Sequence, residues 1–205
     1  MPPETQTGRI DRADQRNQSD SFRLALCQYA LSHPDSFDMF LKQVTNLLEV
    51  SPPADLYLLP ELATVDFTSS RGPTLAEQSL TAVEIDRYQN TLRRIATSRD
   101  AYVVGGTYNV AVDGRYYNRC PVLRPNGTVE RTDKRHLTPG ERDHGKSSTT
   151  DSPLTVSARL PFGVGICYDI EFPSFSRELA AKGAELVVVP AWTTDAAGME
   201  RVRRC

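Results

Sequence analysis

Cys167 is the residue of this chain with the clearest potential for chemistry. A short apolar run, Val164–Ile166, ends at this cysteine, and polar residues and Pro173 follow it. The pattern predicts a buried strand that delivers the thiol at its carboxyl end, before a helix that begins near Ser174. Ligands bind beyond the carboxyl ends of strands in open α/β sheets, so Cys167 is a candidate nucleophile. A cysteine alone is more often an inert buried thiol, because free cysteines are among the most buried residues.

A carboxylate and an amine stand at two other predicted strand ends. Glu61 follows the apolar segment Leu56–Leu59, and Lys134 follows the predicted hairpin strand Thr128–Asp133. Either residue alone would be an ordinary solvated side chain. Beside a thiol, however, an ammonium group lowers the thiol pKa, and a carboxylate can take the thiol proton and later give it to a leaving amine. The ammonium and the backbone N–H after the cysteine can then hold the oxyanion that forms when sulfur attacks a carbonyl or nitrile carbon.

Two residues close to Lys134 offer weaker alternatives. His136 would serve a cysteine–histidine hydrolase, but nothing in the sequence aligns it with Cys167. Asp133 alternates to the opposite face of its strand from Lys134, so we assign it no catalytic role.

Three segments of the sequence resemble the signature blocks of one enzyme superfamily. They are Leu58–Glu61 (LLPE), Lys134–Glu141 (KRHLTPGE) and Gly165–Pro173 (GICYDIEFP). These blocks resemble those of the nitrilase, or carbon-nitrogen hydrolase, superfamily, and the similarity extends from about Phe22 to the end of the chain. The resemblance implies an α/β fold, a four-layer α-β-β-α sandwich, and an enzyme that works without a cofactor.

The resemblance also implies a role for each matched residue. Glu61 would be the general base and acid, Lys134 the stabiliser of the oxyanion, and Cys167 the nucleophile. Glu141 matches a second glutamate, which in relatives positions the lysine and the substrate. The Cys-Tyr-Asp sequence around Tyr168 resembles that of amidases more than that of nitrile-hydrolysing enzymes, which makes Tyr168 a candidate supporting residue.

Trp192 is a further candidate, after the next predicted strand. It opens the segment Trp192–Asp195, which falls where relatives carry a loop close to the substrate. Core packing by Trp192 and capping of a helix by Asp195 explain the same segment equally well.

Composition indicates one soluble globular domain. The chain has 205 residues, of which 39% are hydrophobic and 24% charged, and a formal net charge of -2. This charge argues against nucleic acid or an anionic membrane as partner. No apolar stretch approaches the roughly 20 residues of a membrane span. Because the first residues are polar and lack an apolar core, we expect a disordered leader over 1–20 and a carbon-nitrogen hydrolase domain over 21–205.

Cysteine and histidine usage indicates a cytoplasmic protein without a metal site. The four cysteines include no Cys-x-x-Cys pair, and the three histidines are scattered along the chain. Without an export signal the thiols are expected to stay reduced. We therefore expect no zinc and no other cofactor, with a small-molecule amide as the partner that the resemblance implies.

The rest of the pattern predicts strands that alternate with helices. Apolar periodicity predicts strands at 22–29, 56–59, 102–107, 128–133 and 186–189, and helices at 37–50, around 85–96 and from 174 to 183. This alternation predicts a mostly parallel, layered sheet. Asp113–Gly114 and Asn126–Gly127 are two-residue hairpin signals, so the middle of the chain should be antiparallel.

The chain ends at Arg201–Cys205, inside a predicted helix. Relatives continue with further strands of a second sheet, so the resemblance implies that the C-terminal part of the fold is missing. It also implies a homo-oligomer, a dimer, for a full-length form, because this region contributes to the subunit interface in relatives. We interpret the chain as an amidase-like hydrolase that works through a cysteine thioester. An acyltransferase on the same scaffold and an inactive truncated relative are the alternatives.

Overall fold

A computed structural model describes residues 21–193 and 196–205 of the chain. The predicted leader over 1–20 and the predicted cap at Asp195 lie outside these described residues. The strands are β1 (Leu24–Leu26), β2 (Leu56–Leu58), β3 (Tyr102–Val104), β4 (Tyr108–Val112), β5 (Arg115–Leu123), β6 (Val129–Asp133), β7 (Thr155–Val156), β8 (Phe162–Val164) and β9 (Leu186–Val188). The α-helices are α1 (Phe37–Val50), α2 (Val65–Thr68), α3 (Leu75–Gln78), α4 (Ala82–Arg99), α5 (Pro139–Asp143), α6 (Pro173–Ala181) and α7 (Ala196–Arg204), with 3-10 turns at Ser69–Arg71 and Cys167–Glu171.

The strands form two mixed sheets. In the first, the order is β1-β2-β3-β5-β4, and β6 also pairs with β5; in the second it is β7-β8-β9. The pairs β1–β2, β2–β3 and β8–β9 are parallel, and the other pairs are antiparallel. The prediction of a mostly parallel sheet is therefore wrong. The sheet is mixed because a hairpin at Asp113 and Gly114, whose φ angles of 49° and 74° are those of a tight hairpin turn, makes the following strand antiparallel. The antiparallel middle of the chain is as predicted.

Two apolar cores lie between the first three of four layers. One core joins α1 and α4 to the outer face of the first sheet, and the second lies between the two sheets. Strand alternation explains the division, because Tyr57 belongs to the first core and its neighbour Leu56 to the second. Helix α6 covers the second sheet so closely that a Cβ on Gly163 would lie 2.6 Å from the side chain of Leu179. This arrangement is the expected α-β-β-α sandwich.

The long helices follow their sequence signals. Helix α1 has the predicted bounds and begins where the side chain of Ser36 accepts a hydrogen bond from the N–H of Met39. Helix α4 begins with a capping box formed by Thr81 and Glu84. The helices α2, α3 and α5 were not predicted, because four or five residues are too few to show a helical period. Within the described residues, no helix is long and apolar enough to cross a membrane.

Candidate active site

Three chain segments that follow strands bring a carboxylate, an ammonium and a thiol together. Glu61 lies just after β2, Lys134 directly after β6, and Cys167 three residues after the end of β8. All three residues are buried, with exposed fractions of 5%, 1% and 7%. Glu61 and Lys134 form an ion pair of 2.8 Å. The structure thus brings together the three residues that the sequence predicts to lie at one site.

The carboxylate of Glu61 is held by three donors. Its Oε1 accepts hydrogen bonds from Lys134 Nζ and from Asn118 Nδ2, each at 2.8 Å. Its Oε2 accepts one from the backbone N–H of Trp192 at 3.1 Å. Because each carboxylate oxygen has two lone pairs, Oε1 is saturated and Oε2 keeps one lone pair for a further proton donor.

Glu141 holds Lys134 from the other side. Glu141 Oε2 lies 2.7 Å from Lys134 Nζ, and its Oε1 lies 3.3 Å from Lys146 Nζ. Burial works against ionisation of Glu141, but the charge and hydrogen bond of Lys134, the charge of Lys146 and the N–H of Thr138 together outweigh it and lower the pKa of this carboxyl to about 2. Burial alone would lower the pKa of Lys134, whereas Glu61 and Glu141 raise it well above its usual value. Lys134 is therefore an ammonium at neutral pH, as an oxyanion stabiliser must be.

Cys167 occupies a strained turn at the start of the second 3-10 segment. Its φ is 46°, in the left-handed region that non-glycine residues seldom adopt. Its N–H donates to the carbonyl of Pro190 at 2.9 Å, and its Sγ contacts the carbonyl of Trp192 at 3.7 Å. Such strain persists where the surrounding structure holds the backbone, and it is concentrated at functional sites.

The thiol of Cys167 is protonated at rest. Burial, followed by the negative charge of Glu61, raises its pKa to about 12, and Lys134 opposes this shift only in part. Lys134 lowers the thiol pKa as expected, but desolvation and the carboxylate of Glu61 raise it by more. A thiol in this state needs a base to take its proton when it attacks.

Tyr168 and Trp192 lie beside the site in different ways. The ring of Tyr168 is partly buried and packs edge-on against Phe172, with ring centroids 5.2 Å apart. Trp192 is 44% exposed, so core packing of its side chain is the wrong interpretation. Its backbone contacts both catalytic candidates, through N–H to Glu61 and through the carbonyl to the thiol of Cys167.

Asn118 and Lys146 are site residues that the sequence reasoning missed. Asn118 is fully buried on β5, and its Nδ2 donates to Glu61 at 2.8 Å and to Glu141 Oε1 at 3.3 Å. The sequence carries a signal for Asn118, because it lies two residues before Cys120 on the same strand and therefore faces the same side of the sheet, toward the core between the sheets. Lys146 lay in a polar stretch without periodicity, so the sequence carried no comparable signal for it.

His136 and Asp133 have structural partners. The ring of His136 stacks on Phe172 at 3.9 Å, and its Nδ1 lies 3.0 Å from Asp169 Oδ1. Asp133 pairs with Arg119 at 2.7 Å, as expected for a side chain on the face away from the site. These contacts give the cysteine–histidine alternative no support.

Two cavities flank the site. One, of about 610 Å³, is lined by Glu61 together with residues of α7, and the other, of about 770 Å³, is lined by Glu141 and Lys146. Trp192, Leu62 and Val65 line both cavities. In residues 21–193 and 196–205, no group of three His, Cys, Asp or Glu side chains could hold a metal ion.

The four-layer fold, with Cys167 beyond the end of a strand, is that of a nitrilase-type α/β protein. Residues 23–203 match the family model described as carbon-nitrogen hydrolase, and the chain belongs to this family.

Known relatives have names that agree with this family. A probable hydrolase from Bacillus subtilis is 33% identical over 189 residues, which cover 89% of this chain and 37% of the relative. An ω-amidase from Pongo abelii is 30% identical over 196 residues, which cover 90% of this chain and 69% of the relative. Among solved structures, a variant of a nitrilase-superfamily amidase from Nesterenkonia superposes with a TM-score of 0.70 at 25% identity, over 87% of this chain and 68% of that one. The chain therefore spans only 37% of the length of the Bacillus relative.

Proposed function

We propose that the protein is an amidase-like carbon-nitrogen hydrolase that cleaves amides to a carboxylate and ammonia or an amine. The observation that carries the proposal is the position of Glu61, which is bonded to Lys134 and to the backbone of Trp192, the same residue that contacts the Cys167 thiol. A carboxylate and an ammonium thus lie close enough to the thiol for both to shift its pKa. Membership of the carbon-nitrogen hydrolase family supports the reaction class.

The first half-reaction forms a thioester. Cys167 gives its proton to Glu61 Oε2 while sulfur attacks the amide carbon, so that a C–S bond forms and an electron pair moves to the carbonyl oxygen. Lys134 and the N–H of Tyr168 stabilise the resulting oxyanion; Tyr168 lies in the first turn of a short helix, where N–H groups lack intrahelical acceptors. Collapse breaks the C–N bond, and Glu61 gives the proton to the leaving nitrogen.

The second half-reaction regenerates the thiol. Glu61 takes a proton from water as the water oxygen attacks the thioester carbon. The second oxyanion collapses with cleavage of the C–S bond, and the proton returns to the sulfur of Cys167. The same carboxylate therefore serves as base and acid in each half, which suits an oxygen that keeps one lone pair available.

Electrostatic balance supports this division of roles. Two carboxylates, Glu61 and Glu141, alternate with two ammonium groups, Lys134 and Lys146, so the cluster is neutral when all four are ionised. Extra negative charge on an oxyanion is then met by the ammonium of Lys134. Asn118 donates to both carboxylates and adds no charge.

A short amide is the substrate class that we propose. The cavity of about 770 Å³ beside Glu141 has the size of a small-molecule site and carries polar groups such as Tyr116 and Lys146. Several relatives carry the names ω-amidase and (R)-stereoselective amidase. Small amides and ω-amides are accordingly the first substrates to try.

Release of ammonia or amine from a panel of short amides, ω-amides, carbamoyl compounds and nitriles tests the proposal. We expect turnover of at least one amide, none by the Cys167→Ala variant, and near wild-type turnover by Cys120→Ala as a buried-thiol control. Added hydroxylamine should divert part of the acyl group to a hydroxamate, and hydrolysis should proceed when no hydroxylamine is present. Product that forms only when an amine acceptor is present would indicate an acyltransferase instead. Equal turnover by Cys167→Ala and the wild type would overturn the proposal.

A further inference from the structure

A buried carboxylate next to the nucleophile connects two segments of the site. Asp169 is 1% exposed and lies two residues after Cys167, in the same 3-10 turn. Its Oδ2 accepts a hydrogen bond at 3.0 Å from the N–H of Ile166, the residue before the nucleophile. Asp169 thus holds the backbone from which the thiol projects.

The other oxygen of Asp169 holds the segment that follows Lys134. Asp169 Oδ1 accepts hydrogen bonds from the N–H of Arg135 at 3.2 Å and from the N–H of His136 at 2.7 Å. Nδ1 of His136 also lies 3.0 Å from this oxygen. A single carboxylate therefore links the backbone next to the lysine with the backbone next to the cysteine.

The turn at Cys167 requires such a restraint. Its positive φ is unfavourable for a residue with a Cβ, so the flanking backbone must be held for this conformation to persist. On one side the N–H of Cys167 is bound by Pro190, and on the other the N–H of Ile166 is bound by Asp169. Burial raises the pKa of Asp169, whereas the hydrogen bonds from Ile166 and His136 oppose this shift, and as a carboxylate Asp169 makes stronger hydrogen bonds than a neutral acceptor.

We infer that Asp169 is a positioning residue of the hydrolase, because it sets the placement of the Cys167 thiol relative to the Lys134 ammonium. This inference rests on the proposed function. Asp169 acts through backbone hydrogen bonds and does not contact the reacting atoms. His136 adds a side-chain donor to Asp169, but three backbone donors remain without it.

The chain offers a matched control in Asp66. This residue is fully buried, and its Oδ1 accepts hydrogen bonds from the N–H of Ser32 at 2.7 Å and of His33 at 2.8 Å. Its partners lie in the loop after β1 and not beside the nucleophile. Asp66→Asn and Asp169→Asn therefore remove the same kind of buried acceptor, one bonded to the loop after β1 and the other to the backbone before the nucleophile.

The Asp169→Asn variant should separate positioning from stability. An asparagine keeps one acceptor oxygen and turns an amide donor toward the other segment, so one side of the link is lost. We expect both variants to lower Tm, but only Asp169→Asn to lower kcat, by about 10- to 100-fold with little change in KM. Asp169→Glu keeps the charge but displaces the carboxylate by one methylene, so it should also have a reduced kcat.

Alkylation of Cys167 gives a readout that needs no substrate. In a Cys205→Ser background, which removes an exposed thiol, the rate of labelling by iodoacetamide at neutral pH should fall in Asp169→Asn and remain at the wild-type value in Asp66→Asn. Absence of amide turnover in the wild type would reject the proposed function, while the labelling rates would still test Asp169.

Three outcomes would overturn the inference. The first is a wild-type kcat and labelling rate in Asp169→Asn or Asp169→Glu. The second is an equal loss of both in Asp66→Asn and Asp169→Asn. The third is failure of both Asp169 variants to fold while Asp66→Asn folds, because Asp169 would then be a structural residue only.

Discussion

Glu61 Oε1 and Lys134 Nζ form an ion pair of 2.8 Å between two side chains that are only 4% and 1% exposed. A buried pair of this kind contributes little net stability, but loss of one partner leaves an uncompensated buried charge. In this site the pair also assigns roles, because it occupies one carboxylate oxygen and leaves the other available to the thiol. Substitutions at either position should therefore affect both folding and catalysis.

Replacement of Lys134 tests the oxyanion role. We expect Lys134→Ala to lower kcat at least about 100-fold, since a positioned oxyanion donor contributes that much. It should also lower Tm, because Glu61 and Glu141 lose their shared ammonium. Lys42→Ala, at an exposed position of α1, is the control and should change neither quantity.

His136→Ala is the companion of that experiment. The ring of His136 is engaged by Asp169 and Phe172, so its loss should cost far less activity than the loss of Lys134. An essential His136 with a dispensable Lys134 would favour cysteine–histidine chemistry and reject our assignment.

Glu61→Gln should lower two quantities, turnover and the pKa of the Cys167 thiol. Turnover should fall at least about 100-fold, because the general base and acid is lost. The pKa of the Cys167 thiol should fall from its value of about 12, because the negative charge of Glu61 contributes to raising it. The second effect is measured by titration of thiolate absorbance in Glu61→Gln. The same titration of the Glu61→Gln/Cys167→Ala double variant, which lacks this thiol, isolates the contribution of Cys167. An unchanged thiol pKa together with full turnover would show that Glu61 is not the base.

Thiol reactivity should single out Cys167 among the buried cysteines. Burial also raises the pKa values of Cys27 and Cys120, and Asp133, the carboxylate that adds to the shift at Cys120, is paired with Arg119. In a Cys205→Ser background, iodoacetamide should therefore label Cys167 first. Cys27→Ala and Cys120→Ala should keep turnover near the wild-type level, while equal labelling of all three thiols would argue against an activated cysteine.

The stability of the protein in acid should depend on Glu141. Its pKa is lowered from 4.5 to about 2 in the folded state. The folded state therefore gains stability from the ionised carboxylate above pH 4.5, and this contribution is lost as the pH falls from 4.5 toward 2. Glu141→Gln should be less stable at neutral pH, and its free energy of unfolding should change less over that interval. Denaturant unfolding at several pH values measures both, and identical curves would contradict the ion-pair account.

The sequence predicted the parts of the site that follow strong local signals. Cys167 and Glu61 follow short apolar segments and Lys134 follows a strand marked by a hairpin signal, and strand ends are where a sheet presents side chains to a crevice. The long helix α1 was predicted with its observed bounds, because its apolar period shows which face is buried and the prolines after it mark where the helix ends. The four-layer order of the fold came from the resemblance to the family.

Other features depend on tertiary contacts that local pattern does not show. The direction of the thiol pKa shift depends on burial and on Glu61, which is distant in the chain. Trp192 contacts the site through its backbone, whereas a sequence pattern bears on its ring alone. Lys146 reaches Glu141 from an irregular segment, where no periodicity reveals which side chains face inward.

Direct detection of the thioester tests the central claim most directly. The protein is mixed with a short amide that it hydrolyses, quenched with acid during turnover and analysed by mass spectrometry after proteolysis. We expect an added mass equal to the acyl group on the peptide that contains Cys167, and its loss when hydroxylamine is added before the quench. Steady turnover of the wild type without this adduct, or turnover that persists in Cys167→Ala, would contradict the account.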